Sequence, residues 1–117
     1  MEDLAFGALV VSILFVLMCT MLASMTRSGS LSANRVFGLK TKHTLASDEA
    51  WTAGHRAAGP LLWGSAAVAL AGAVTTGLLL AAGDSQVAGV VGWVGVLINV
   101  GLLVYATRVA NRAARAA

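Results

Sequence analysis

Charge is what this sequence has least of. Asp, Glu, Lys and Arg make up 11% of its 117 residues, against roughly 25% in a typical soluble domain. That is too little to coat a water-facing surface of this size, which excludes an ordinary soluble fold. Cysteine is nearly absent too. The single Cys19 rules out an intrachain disulfide, says nothing of redox compartment, and reads as a small apolar filler. No basic face interleaved with aromatics runs along the chain, which argues against a nucleic-acid partner. Neither a His-Glu-x-x-His run nor a cysteine pair occurs, so the common zinc motifs are missing.

What the chain has instead is hydrocarbon. It is 58% hydrophobic with a mean hydropathy of +0.83. Three apolar runs, 4–25, 61–82 and 87–107, contain no Asp, Glu, Lys or Arg. Each has about the twenty residues that cross a bilayer core of about 30 Å. The first run follows Met1-Glu2-Asp3 without a basic flank and exceeds the h-region of a signal peptide, so it reads as a retained span. The expected class is an all-α membrane protein with three transmembrane helices in a single domain.

Charge placement sets the expected topology. Arg27, Arg35, Lys40, Lys42 and Arg56 lie between the first two spans, and Arg108, Arg112 and Arg115 follow the third. The turn Gly83-Asp84-Ser85-Gln86 has no basic residue, and the N-terminus offers only acids. The positive-inside rule is then met throughout, with the N-terminus outside and the C-terminus cytoplasmic. The pI near 9.8 fits attraction to anionic headgroups.

The spans are rich in small residues. Ser65, Ala69, Ala73, Gly77 and Ala81 recur every four residues, and Ala88, Gly92, Gly95 and Asn99 form a similar stripe. Such stripes let helices approach closely in lipid, with Asn99 as an interhelical hydrogen-bonding group. Asn99 and the Thr75-Thr76 pair are too few to line a transport path.

Polar chemistry collects between the first two spans. Thr44 or Ser47 can cap a helix, Asp48 and Glu49 suit its first turn, and Ala50 to Ala58 propagate it. Gly59-Pro60 marks an end or a kink. A short cytoplasmic-side juxtamembrane helix, 47–58, is therefore expected to run into the second span. On it Asp48, Trp51 and His55 share one face, and Glu49, Thr52 and Arg56 share the next. His55 is expected to make a structural hydrogen bond to a carboxylate or carbonyl. A pH-sensing role, with Asp48 favouring its charged form, is the alternative.

The run NRVFGLKTKHTLASDEAWTAGHRAAG, residues 34–59, resembles the signature of the SdpI family of bacterial membrane proteins. The matching positions are Asn34, Gly38, Lys40, Thr41, Thr44, Asp48, Glu49, Trp51, His55, Arg56 and Gly59. Lys40 stands where Arg is commoner in the family, and the founding member carries additional N-terminal spans. The resemblance implies a non-enzymatic protein of the bacterial inner membrane, acting in toxin immunity or signalling through a protein partner. That partner is a peptide toxin, a regulator or a larger membrane complex. The other readings are an accessory subunit, or a metal or ligand site at His43, Asp48, Glu49 and His55. Those four lack a ligand spacing, so no metal or cofactor is expected.

Overall fold

A computed structural model describes residues 2–33 and 37–117. They form helix α1 (Glu2–Ser28), a 3-10 turn (Thr44–Ala46), helix α2 (Asp48–Ala81) and helix α3 (Ser85–Ala116). All three helices are long and apolar enough to cross a membrane. With 27, 34 and 32 residues, they run about 40–50 Å at 1.5 Å per residue. Each therefore overhangs a hydrocarbon core of about 30 Å, and α2 overhangs furthest.

The termini follow from local chemistry. Gly29 and Gly83 adopt φ of +74° and +84°, the left-handed geometry that closes a helix with a glycine. Beyond them Ser30 N–H donates to the Met25 carbonyl and Asp84 N–H to the Leu79 carbonyl, each at 3.0 Å. The Ser47 hydroxyl caps α2 by accepting from Ala50 N–H at 3.0 Å. Asp84 caps α3 by accepting from Val87 N–H at 3.2 Å.

The juxtamembrane segment differs from expectation. It is no separate helix: α2 runs without a break from Asp48 through Gly59-Pro60 to Ala81. Proline removes only the bond to the Arg56 carbonyl, and the Pro60 ring sits on an exposed face. The ladder above and below, together with packing on α1 and α3, carries the helix across it.

Small residues do bring the helices together, but not along a strict every-fourth line. Ser65, Ala69 and Ala73 are buried, as are Ala88, Gly92 and Asn99. A Cβ on Gly92 would stand 2.7 Å from Ala8 Cβ and 3.0 Å from Thr76 Oγ1, so all three helices meet there. Gly77 and Gly95 are different: nothing lies within 4 Å of a Cβ added to either, and Ala81 is exposed. Four residues turn a helix by about 400°, so an i+4 line drifts about 40° per step. Thr76 and Val96 take the buried positions instead.

One polar chain ties the helices at mid-bundle. The Cys19 thiol approaches Ser65 Oγ at 3.6 Å, Ser65 Oγ donates to Asn99 Oδ1 at 2.7 Å, and Asn99 Nδ2 donates to the Gly95 carbonyl at 3.3 Å. Cys19 is thus more than filler, since its sulfur reaches the polar pair. Asn99→Leu should lower stability by about 0.6–1.7 kcal/mol, the range for such bonds in membranes. Thermal melting in detergent measures it, and an unchanged midpoint would show the chain contributes nothing.

Large side chains point outward along the spans, with Leu78 65% and Leu97 69% exposed. Such surfaces have lipid as their natural solvent. A buried hydrophobic cluster lies elsewhere, at the loop end of the bundle. It joins Leu22, Leu31, Leu39, Trp51, Ala58, Leu62, Ala106 and Ala110.

Candidate functional site: a buried loop lock

The first turns of α2 position Trp51 and His55 four residues apart, stacked on one side of the helix. Their rings lie 4.2 Å apart between centroids and are tilted by 37°. Both are buried, at 1% and 2% exposure. Each reaches back to the chain that follows α1. Trp51 Nε1–H donates to the Leu31 carbonyl at 3.2 Å, and Leu39 N–H donates to His55 Nε2 at 2.8 Å. The loop is therefore fastened through its backbone at two points eight residues apart.

Gly38 explains its own identity. Its φ is +134°, a region essentially restricted to glycine. An added Cβ would lie 2.5 Å and 2.7 Å from the Trp51 ring and 3.0 Å from His55 Nε2. The backbone at this point is the lid over both rings.

Thr41 and Thr44 form a second fastening. Thr41 N–H donates to Thr44 Oγ1 at 2.8 Å and Thr44 N–H to Thr41 Oγ1 at 3.1 Å. Thr44, fully buried, donates its hydroxyl to the Leu39 carbonyl at 2.9 Å. Thr41 Oγ1 donates to Asn111 Oδ1 at 2.8 Å and so attaches the loop to α3. Beneath it, a Cβ on Gly54 would stand 2.8 Å from the Ala110 carbonyl and 3.1 Å from Thr44 Cγ2.

The hydrogen bonds fix the state of His55. Leu39 N–H can only donate, so Nε2 must accept, and Nδ1–H then donates to the Trp51 carbonyl at 2.8 Å. That is the neutral imidazole with its proton on Nδ1. A second proton would face the Leu39 N–H. His55 precedes the apolar run 61–82, and burial pushes its pKa below the ordinary 6.5, with the Trp51 carbonyl opposing. The expectation that Asp48 would favour its charged form is overturned: Asp48 is exposed and His55 is held neutral.

The sign of the pH effect follows. The unfolded chain takes up a proton near pH 6.5 while the folded chain resists it. Stability contributed by His55 is thus present above about pH 6.5 and lost as pH falls below it. Melting midpoints should drop between neutral and mildly acidic pH in the parent, and drop less in His55→Gln. Parallel curves for the two would remove His55 as the cause.

The remaining sequence-selected residues divide. Asn34 and Arg35 lie outside the described residues. Lys40, Asp48, Glu49 and Arg56 are exposed. Asp48 therefore does not join the Trp51–His55 face in the interior. With Thr52 and Ala53, three of them line a shallow groove of about 390 Å³: Asp48, Glu49 and Arg56. The metal reading fares poorly on geometry. Both ring nitrogens of His55 are already engaged, and no group of three His, Cys, Asp or Glu converges among the described residues.

Sequence reasoning missed Gly54, Asn111 and the Leu31 and Leu39 backbones. Gly54 carried a signal, because a glycine inside an alanine-rich helix costs about 1 kcal/mol and implies a packing reason. Asn111 sits among arginines that read as a plain anchor, and backbone partners leave no mark in composition.

Known proteins place these residues in context. No curated protein and no solved structure matches the chain. The SdpI/YfhL protein family matches residues 30–109, a stretch that takes in the loop, Trp51 and His55, all of α2, α3 as far as residue 109, and the Ser65–Asn99 pair, and stops short of Ala110 and Asn111. A match over more than half of the chain, on a bundle of three bilayer-length helices, settles the assignment: this is an integral membrane protein belonging to the SdpI/YfhL protein family.

Proposed function

We propose that the protein is a non-enzymatic module of the bacterial cytoplasmic membrane that recognises a protein partner, in toxin immunity or the signalling that accompanies it. The observation that carries this reading is a division of labour within the motif. Gly38, Thr44, Trp51 and His55 are consumed in mutual contacts, and saturated groups of this kind hold a shape rather than turn over a substrate. Asp48, Glu49, Thr52 and Arg56 are left exposed around the same rigid helix end. A pre-organised charged ridge favours specific recognition. The basic loop and C-terminus support, through the positive-inside rule, a ridge on the cytoplasmic side with the N-terminus outside.

The test pairs function with folding. Cells lacking the protein should become more sensitive to a membrane-active peptide toxin, and the parent gene should restore protection. Asp48→Asn with Glu49→Gln should abolish rescue while the melting midpoint stays near that of the parent. A photocrosslinker at Thr52 should capture a protein. Equal sensitivity with and without the gene, and no crosslinked protein, would reject partner recognition.

A further inference from the structure

A second groove lies beside α2, away from the lock. It occupies about 360 Å³ and is lined by Ala23, Thr26, Arg27, Arg56, Gly59, Pro60 and Trp63. Arg27 belongs to the last turn of α1, and Arg56 lies one turn before the proline of α2. Two guanidinium-bearing side chains from separate helices thus border one cavity. Thr26 Oγ1 is buried there without a hydrogen-bond partner among the described residues. Nothing lies within 4 Å of a Cβ added to Gly59, so the space beside it is open.

We propose that this groove binds the headgroup of an anionic phospholipid, with Arg27 and Arg56 on the phosphodiester. Guanidinium groups match phosphate oxygens through paired N–H donors. Thr26 supplies a further donor once its side chain turns the buried, unpartnered Oγ1 toward the groove. Trp63 is 40% exposed and stands at the start of the apolar run 61–82, where an indole suits the boundary between headgroup and acyl chain. Ala23, Pro60 and Trp63 make the remaining wall apolar. That mixture fits a phosphate carrying acyl chains better than a free phosphate ion.

The test is a titration of detergent-purified protein with phosphatidylglycerol or phosphatidylcholine, read by native mass spectrometry. The parent should retain phosphatidylglycerol in preference to phosphatidylcholine. Arg27→Gln with Arg56→Gln should weaken retention roughly tenfold. Arg108→Gln with Arg112→Gln removes the same charge elsewhere and should leave it near the parent value. Arg27→Gln alone, at an exposed helix end, should give a partial loss and guards against misfolding of the double variant. Equal loss in both double variants would reduce the effect to diffuse charge and overturn the site. So would indifference between the lipids. Displacement by excess inorganic phosphate would overturn the lipid assignment in favour of a free anion.

Discussion

Gly38→Ala is expected to cost several kcal/mol and to release the loop from the bundle. The backbone there has φ of +134°, which costs a non-glycine residue about 1–3 kcal/mol. The methyl group would also overlap the Trp51 ring at 2.5 Å, far inside van der Waals contact. Neither partner has an easy retreat, since the indole is buried and tied to the Leu31 carbonyl. Melting in detergent and tryptic cleavage at Lys40 and Lys42 report the result. Gly64→Ala is the control, because nothing lies within 4 Å of its added Cβ. It should be neutral or stabilise by up to about 1 kcal/mol through helix propensity. Similar behaviour of the two variants would show that the lid is not constrained as described.

The second large effect belongs to Trp51. Trp51→Ala empties the centre of the buried cluster at the loop end, a change worth about 3–5 kcal/mol. It also leaves the Leu31 carbonyl without its donor. Trp51→Phe keeps most of the packing but loses the hydrogen bond to the Leu31 carbonyl and part of the indole volume, so a smaller loss of about 1–3 kcal/mol is expected. A sharper test is coupling. Gly38 must lack a side chain mainly because the indole occupies the space, so Gly38→Ala should cost much less in a Trp51→Ala background. The backbone component at positive φ would remain. Additive penalties would mean the two residues do not meet as the geometry indicates.

These effects show why the motif combines such different residue types. Trp51 supplies volume and one donor, His55 one acceptor and one donor, Gly38 the absence of a side chain, and Thr44 a hydroxyl at full burial. Together they satisfy a loop that would otherwise bury unpaired backbone groups beside apolar helix ends. With that loop fixed, the helix end that carries the exposed acids of α2 is held against the bundle.

Much was legible in the residues alone. Three runs without a charged side chain dictate three bilayer-length helices, because only helices and closed β-barrels satisfy the backbone in hydrocarbon and runs of about twenty residues have helix rather than strand length. Glycine and aspartate at 83–84 mark the hairpin, and Ser47 followed by Asp48-Glu49 marks the start of α2. Family membership was also readable, through the motif residues from Asn34 to Gly59. The sequence did not reveal that Gly59-Pro60 leaves α2 continuous, since one missing hydrogen bond is overruled by packing on both neighbours.

Composition and spacing by themselves determined that this chain lives in a bilayer and keeps its lysines and arginines at one end. Burial, in contrast, was decided only by the tertiary structure. Helical spacing put Asp48 in register with Trp51 and His55, yet it cannot say how far toward the interior each one turns. Packing against the loop and α3 drew Trp51 and His55 inside, and left Asp48 and Glu49 exposed. The reason is physical: an indole and a neutral imidazole can satisfy their few polar atoms on nearby backbone, whereas a carboxylate without a buried partner must stay solvated.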